Sequence, residues 1–346
     1  MSAPLTSKAT LHTHANIRPL LRAGIILALL ACAGCAALAI ALSMGSVAID
    51  ASTVVRALVG RASGTDAIIV VDLRLPRALA AFAVGGLLAV AGALMQVLLR
   101  NPLADPYVLG ISGGAAVGAL ATMIAGVAAL VAPAALAGAL VSTLLVFSLA
   151  RTGTAATPWT ATRLLLTGVV VAAGWSALIA LLLTVAPDAQ VKGMLFWMLG
   201  DLSAVPPPLP ALATLALVLV LAFGLARDLN VLVRGETIAT TLGVEVPRIT
   251  LALHALAALA TAAAVTTAGS VGFVGLVVPH ALRLVIGNDQ RVLLPAAALA
   301  GGALLVLADT LARSVIAPAQ LPVGVITALV GVPVFLYLLA KSGVRP

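Results

Sequence analysis

Only a handful of side chains in this sequence have types and spacings that could support chemistry. Cys32 and Cys35 have the C-x-x-C spacing of metal and redox sites, but they lie among alanine, leucine and isoleucine. We interpret them as small packing residues. His280 and Asp309 lie in or near long apolar runs, where ionisable side chains are candidate functional residues, but we expect them at opposite ends of those runs. No Ser-His-Asp set, H-E-x-x-H motif or nucleotide-binding loop occurs, so the sequence predicts a chain that is not itself an enzyme.

A short polar stretch, RNPLADPYVLG at residues 100–110, separates two long apolar runs. Pro102 and Pro106 fix φ and stop helices on both sides of it. Asn101 could accept hydrogen bonds from backbone N–H groups that are freed at this break between the helices. The stretch therefore predicts a stiff, defined loop between two helices.

Long apolar helices must position these residues. The chain has 346 residues, of which 62% are hydrophobic and 9% are charged, whereas a soluble domain is about 25% charged. Because a spanning helix needs roughly 20 apolar residues, the sequence predicts an all-α polytopic membrane protein with about ten transmembrane helices and no separate soluble domain. The predicted spans are 24–44, 75–99, 107–126, 128–150, 164–186, 209–226, 249–268, 273–286, 292–308 and 322–340.

The distribution of lysine and arginine predicts the orientation in the lipid bilayer. Residues 1–23 form a basic tail before the first span, and most other basic residues fall on the same side as this tail when the spans alternate. Basic residues accumulate on the cytoplasmic side of membrane proteins, so both termini are expected there. The pI of about 10.7 is then a topology signal, and no clustered basic face suggests a nucleic-acid partner.

The longest polar interruption, residues 227–248, falls on the predicted cytoplasmic side. Within it, GETIATTLG has a glycine at each end and Glu236 at the start, which predicts a short helix bounded by Gly235 and Gly243. A plain solvated linker would not need such a helix. We therefore interpret the segment as a docking site for a cytoplasmic partner.

Two stretches share the same spacing of glycine and proline: Gly92, Pro102 and Gly110, then Gly269, Pro279 and Gly287. An odd number of predicted spans separates them, so they would enter the membrane from opposite sides, as inverted repeats of transporters do. The span 273–286 is also short for a full crossing. Transport is the function that this pattern favours, with an ion-gradient-driven secondary transporter of a metal chelate as the alternative.

Three long motifs, in this order from near residue 70 to the C-terminus, resemble the FecCD-type permease subunits of type II ABC importers. They are RLPRALAAFAVGGLLAVAGALMQVLLRNPLADPYVLGISGGAAVG, GSVGFVGLVVPHALRLVIGNDQRVLLPAAALAGGALLVLADTLAR and LPVGVITALVGVPVF. The resemblance implies one permease domain, 1–346, in the bacterial inner membrane, working as a homodimer. Its implied partners are two cytoplasmic ATPase subunits, which use ATP and Mg, and a periplasmic binding protein; the chain itself binds no cofactor.

The resemblance also implies roles for individual residues. The polar stretch matches a cytoplasmic gate at Asn101, Pro102 and Leu103, and the TPWTATR loop matches a second gate at Thr160 and Thr162. The ATPase-coupling segment, 227–248, matches at Gly235, Glu236 and Gly243. The arginines that would receive acidic residues of the binding protein match at Arg74, Arg77 and Arg313. For Arg74 and Arg77 alone, snorkelling to lipid headgroups is the other interpretation.

The resemblance implies transport of a ferric siderophore, haem or vitamin B12. The matched parts of the fifth and tenth predicted spans, Thr167–Val185 and Pro322–Leu339, would border the pathway, and the first carries almost no charge. A smooth apolar conduit suits a bulky, planar, apolar ligand. We therefore expect an iron chelate, with haem ahead of a ferric siderophore or cobalamin.

Overall fold

The computed structural model describes residues 17–151 and 161–342, and its regular structure there is helical, which confirms the all-α prediction. The α-helices are α1 (Ile17–Ser43), α2 (Ala51–Leu58), α3 (Thr65–Leu98), α4 (Ile111–Ile124), α5 (Val131–Arg151), α6 (Ala161–Val185), α7 (Asp188–Met198), α8 (Pro208–Gly224), α9 (Ala226–Leu232), α10 (Glu236–Thr241), α11 (Val246–Ala268), α12 (Val274–Ile286), α13 (Gln290–Ala312) and α14 (Val323–Ser342). Short 3₁₀ helices, Pro106–Leu109 and Ala128–Leu130, precede α4 and α5.

The predicted spans each have a counterpart among these helices. Seven described helices, α1, α3, α5, α6, α11, α13 and α14, are long and apolar enough to cross a membrane. Helices α8 and α9 together form an eighth candidate that is bent by 61°, and α4 and α12 are shorter apolar helices. Helix α3 begins at Thr65 rather than at residue 75 because a π-helical turn, Ile69–Arg74, continues directly into it.

Helix α3 lies at the centre of the molecule. Almost every residue from Ala78 to Leu98 is buried, against α8, α11, α12 and α13. Glycines allow these backbones to approach: a Cβ on Gly92 would overlap the carbonyl oxygen of Gly275 in α12. In lipid, where apolar side chains gain little by avoiding solvent, such close backbone packing is what holds helices together.

The repeated glycine and proline spacing does not mark two similar folds. Gly92 lies inside α3, whereas Gly269 ends α11 with a φ of 69°. Pro102 lies in a loop, whereas Pro279 lies inside α12. The matched positions therefore serve different backbone roles, and the inverted repeat predicted from this spacing stays a prediction.

The two ends of the helical bundle differ in the residues that they carry. The arginine end holds Arg74, Arg77 and Arg313. The gate end holds the loop that follows α3, helices α9 and α10, and the turn 287–289. Helix α1 ends at the arginine end and α14 begins there, so the opposite termini of both helices lie at the gate end.

Candidate functional site

The polar stretch begins with a tight stop to α3. Arg100 has a left-handed φ of 48°, and the Arg100 and Asn101 N–H groups donate to the carbonyls of Val97 and Gln96, each at 3.2 Å. The side-chain oxygen of Asn101 accepts from the N–H of Leu103 at 2.9 Å. The capping role predicted for Asn101 is thus observed, and Asn101, Pro102 and Leu103 form an exposed tip.

The second half of the stretch is bonded to the segment between α11 and α12. Asp105 accepts from the N–H of Tyr107 at 2.7 Å and so begins the 3₁₀ helix. The Tyr107 hydroxyl donates to the carbonyl of Val271 at 3.1 Å and accepts from its N–H at 3.0 Å. Burial raises the pKa of the Asp105 carboxyl to about 6, and the hydrogen bond from Tyr107 opposes that rise.

Helices α5 and α6 hold the same stretch from its other side. The Ser142 hydroxyl of α5 donates to the carbonyl of Gly110 at 2.8 Å, and the indole N–H of Trp175 in α6 donates to the same hydroxyl at 2.9 Å. Thr162 is the second residue of α6, and Thr160 of the second predicted gate lies outside the described residues. Only the first predicted gate can therefore be placed against its neighbours.

The predicted helix of the coupling segment is present as α10. Gly235, with φ 119°, precedes it, and Gly243, with φ 81°, follows it. Ile238 and Leu242 are large apolar side chains that lie exposed. A groove of about 510 Å³, bordered by residues 243–248, lies beside the end of α10.

An ion pair joins the polar stretch to the coupling segment. The Arg100 guanidinium (Nη2) lies 3.0 Å from the Glu236 carboxylate, and both side chains are about half exposed. Nearby, the Asn230 amide of α9 donates to Asp289 at 2.8 Å and its carbonyl oxygen accepts from the N–H of Gln290. The loop after α3, the coupling segment and the start of α13 are thus linked at one end of the molecule.

Comparison with known proteins identifies the family. Residues 29–341 match the FecCD transport family. The chain belongs to this family. It is 39% identical over 338 residues to the hemin transport system permease protein HmuU of Yersinia pestis, covering 94% of this chain and 97% of that protein. It is 46% identical over 288 residues to the cobalamin import system permease protein BtuC of Halobacterium salinarum, covering 81% and 76%.

A solved structure agrees with this membership. An inward-facing metal-chelate type ABC transporter matches this FecCD permease with a TM-score of 0.79 and 27% identity, over 92% of this chain and 99% of that one. The resemblance to permeases of type II ABC importers is thereby confirmed, and the fold is that of an ABC importer permease. Among the described residues of this permease, no group of His, Cys, Asp and Glu is arranged to hold a metal ion.

The three arginines of the permease lie inside the arginine end. Arg74 donates to the carbonyls of Leu42, at 2.7 Å, and Ser43, at 3.0 Å, and so caps α1. Arg77 donates hydrogen bonds to the Asp309 carboxylate from Nε at 2.9 Å and from Nη2 at 2.8 Å. Arg313 donates to the carbonyl of Ala41 and lies 3.8 Å from Asp309. The arginines are 6%, 8% and 7% exposed.

Direct contact with acidic residues of a binding protein would need exposed arginines, and Arg74, Arg77 and Arg313 are buried. A buried carboxylate and the last carbonyls of α1 need donors, and these three side chains supply them. A carboxylate of a binding protein would have to displace Asp309 from Arg77. Their part in docking stays a prediction.

Sequence reasoning missed several residues of the gate end. Arg100 and Glu236 are far apart in the chain, and only the fold brings their opposite charges together. The sequence does not mark Tyr107 as a functional residue, because an isolated tyrosine in an apolar run is usually a packing residue. Asp105 could have been found, since an aspartate directly before a proline is a common cap of a helical turn.

Proposed function

We propose that this FecCD permease carries a bulky metal chelate across the bacterial inner membrane, with haem ahead of cobalamin or a ferric siderophore. Its relatives HmuU and BtuC are named for hemin transport and cobalamin import. Helix α6, which corresponds to the predicted pathway span 164–186, supports haem as the preferred substrate. Only 11% of the most apolar stretch of this helix is buried within the chain. Leu166, Val170 and Leu181 are among its exposed side chains.

The uncovered apolar faces support a homodimer. In α14, as in α6, little of the most apolar part of the helix is buried within the chain, 22% in α14. Contiguous apolar surface that no part of its own chain covers is typical of an interface or of lipid contact. In the proposed importer, a second copy meets the chain along α6 and α14, and the substrate passes between the copies.

The link between the polar stretch and the coupling segment is the observation that carries the ATP-driven mechanism. Arg100 and Glu236 join the loop after α3 to the exposed helix α10. In the proposal, two ATPase subunits bind α10 in the cytoplasm, where both termini also lie. Their ATP-driven movement reaches the gate residues Asn101, Pro102 and Leu103 through this contact. A periplasmic binding protein delivers substrate at the opposite, arginine end.

Uptake into proteoliposomes tests this function. The permease, its ATPase subunits and the binding protein are reconstituted with ATP inside or outside, and entry of haem, cobalamin and a ferric siderophore is measured. We expect uptake, strongest for haem, only when ATP is on the side of the ATPases, and no uptake with an ATPase that cannot hydrolyse ATP. Uptake driven by an ion gradient without ATP would establish the secondary transporter instead.

A further inference from the structure

Helix α2 has an apolar face that the described part of the chain leaves exposed. Val54 and Ala57 lie on its inner side and are buried. Val55, Leu58 and Val59 form an outer stripe, and they are 59%, 47% and 60% exposed. Because side chains three or four residues apart are neighbours on a helix, these three make one continuous apolar strip. The gate, the coupling segment and the buried arginines leave the outer stripe without a role.

The position of α2 places the outer stripe at the edge of the bilayer. The Ile49 N–H donates to the carbonyl of Ser43 at 3.0 Å, and Leu42 packs in the cluster beneath α2. Helix α2 therefore begins where the span α1 ends. Only 22% of the most apolar part of α1 is buried within the chain, and apolar surface of that extent on a spanning helix is typical of lipid contact. Helix α2 lies beside the same lipid.

The outer stripe is separate from the surface where a second copy is proposed to bind. Helix α2 packs on α1 and on the start of α3. The cluster beneath it is made of residues between 42 and 75, and no described residue of α6 or α14 belongs to it. A binding protein that delivers substrate would be centred over those two pathway helices. The lipid around α1 is the neighbour that remains.

Two arginines border the outer stripe without forming an ion pair among the described residues. Arg56 is exposed and donates to the neutral hydroxyl of Thr53 at 2.9 Å. The N–H of Arg61 donates to the carbonyl of Arg56 at 2.7 Å, so the turn that ends α2 holds this exposed residue beside the first arginine. Asp50 is near enough to interact with the charge of Arg56, but its carboxylate caps the start of α2.

An aliphatic strip bordered by cationic side chains fits the surface of an anionic bilayer. Aliphatic side chains enter the boundary between headgroups and acyl chains, while arginines extend to the phosphate oxygens. Guanidinium groups match phosphate geometrically and pair with it through two parallel hydrogen bonds. Specific protein interfaces are instead enriched in aromatic anchors, and α2 contains no aromatic residue. These features favour lipid over a protein partner.

We propose that α2 is an interfacial anchor that binds anionic phospholipid. Val55, Leu58 and Val59 lie in the headgroup layer of the leaflet at the arginine end, and Arg56 and Arg61 bind the phosphates of its lipids. Because α2 is joined to the last turn of α1, the anchor fixes the depth of that end of the molecule in the bilayer. This role does not depend on which substrate the permease carries.

Fluorescence quenching in proteoliposomes tests the position of α2. Val55→Cys, in a Cys32→Ser and Cys35→Ser background, carries a fluorescent label in vesicles of phosphatidylglycerol and phosphatidylethanolamine. We expect lipids brominated near the headgroup to quench this label, and acrylamide in the water to quench it several-fold less than a label at Ala204→Cys. Ala204 is the matched control, since it is exposed in the α7–α8 loop, near the start of α14 at the same end. If Val55→Cys does not fold, Leu58→Cys replaces it.

The two arginines are tested with the same label. Arg56→Gln with Arg61→Gln should raise quenching by acrylamide in vesicles that contain phosphatidylglycerol, because the attraction to anionic headgroups is lost. In vesicles of phosphatidylcholine alone the double variant should match the protein that keeps both arginines. An unchanged response in phosphatidylglycerol would overturn the assignment of anionic headgroups.

Three results would overturn the anchor itself. Equal quenching by acrylamide of the labels at Val55 and Ala204 would place α2 in water. Protection from acrylamide without quenching by brominated lipid would mean that a second copy covers the outer stripe. Protection that appears only after the binding protein is added would assign the stripe to that protein.

Discussion

Arg100 and Glu236 are the residues through which movement of the coupling segment would reach the gate. An exposed ion pair contributes only about 0–1 kcal/mol to stability, so we expect its loss to change coupling more than folding. Glu236→Lys should reduce the substrate carried per ATP hydrolysed, because it places two positive charges together. The double variant Arg100→Glu with Glu236→Arg should recover much of the loss.

The measurement is ATP hydrolysis and uptake in the same proteoliposomes, for the single variants Glu236→Lys and Arg100→Glu and for the swap. Binding of the ATPase subunits, measured by pull-down, is the control, since Glu236 could also contact them directly. A swap that couples no better than the worse single variant would show that the pair transmits nothing.

Asp105 should make stability depend on pH. Its pKa is raised from 3.8 to about 6 by burial, so the folded protein binds this proton more tightly than the unfolded chain does. The contribution to stability is therefore full below pH 3.8 and is lost as the pH rises through about 6, a difference of up to about 3 kcal/mol. Asp105→Asn keeps an oxygen acceptor for Tyr107 and should be more stable than wild type at pH 8.

Unfolding midpoints of wild type and Asp105→Asn between pH 4.5 and 8 check this prediction. The gap between the two proteins should narrow as the pH falls. Parallel curves over the whole range would mean that the carboxyl of Asp105 is not desolvated in the fold.

Asp309 should be required for folding at the arginine end. Asp309→Ala leaves the Arg77 guanidinium buried without its carboxylate, and breaking one side of a buried pair costs about 3–5 kcal/mol. Arg77→Met with Asp309→Leu removes both charges and should cost less. Thermal unfolding and yield of the two variants test this prediction. If Asp309→Ala and the double variant were equally stable, the pair would be hydrated rather than buried.

At the scale of elements, the apolar runs could be predicted because a span needs a fixed length of apolar sequence. The short helix α10 could also be predicted, since glycines mark both of its ends. The longer start of α3 could not, because its π-helical turn carries Asp72 and Arg74 and reads as a polar loop. The burial of Arg74, Arg77 and Arg313 was missed because most of their acceptors lie 27 to 272 residues away in sequence.

Close packing of α3 on α12 depends on Gly92. A Cβ at this position would overlap the Gly275 backbone, which cannot move aside as a flexible side chain would. We expect Gly92→Ala to destabilise the protein by about 1–3 kcal/mol through overpacking. Gly174→Ala in α6 is the matched control, because a Cβ there meets nothing within 4 Å. Unfolding measured in detergent should separate the two, and equal midpoints would mean that the two helices can move apart without cost.

At the scale of the whole molecule, the family, the helical fold and the short helix α10 could be predicted from sequence motifs, whereas the contacts between the elements could not. The polar stretch is bonded to the α11–α12 segment through Tyr107 and Val271, to α5 through Ser142, and to the coupling segment through Arg100. These contacts join parts of the chain that no local pattern relates. They make the stretch a junction of several helices, which is what a gate needs in order to respond to distant events.

The central claim is that this stretch is a gate that ATP moves. A spin label at Leu103, placed as Leu103→Cys in a Cys32→Ser and Cys35→Ser background, measures the distance between the two copies in the reconstituted transporter. Leu103 is 41% exposed, so the label should not disturb packing. We expect one distance without nucleotide and a different one when the ATPase subunits bind ATP, with Glu236→Lys reducing the change. An identical distance distribution with and without ATP, in a transporter that still takes up substrate, would contradict the gating role of this stretch.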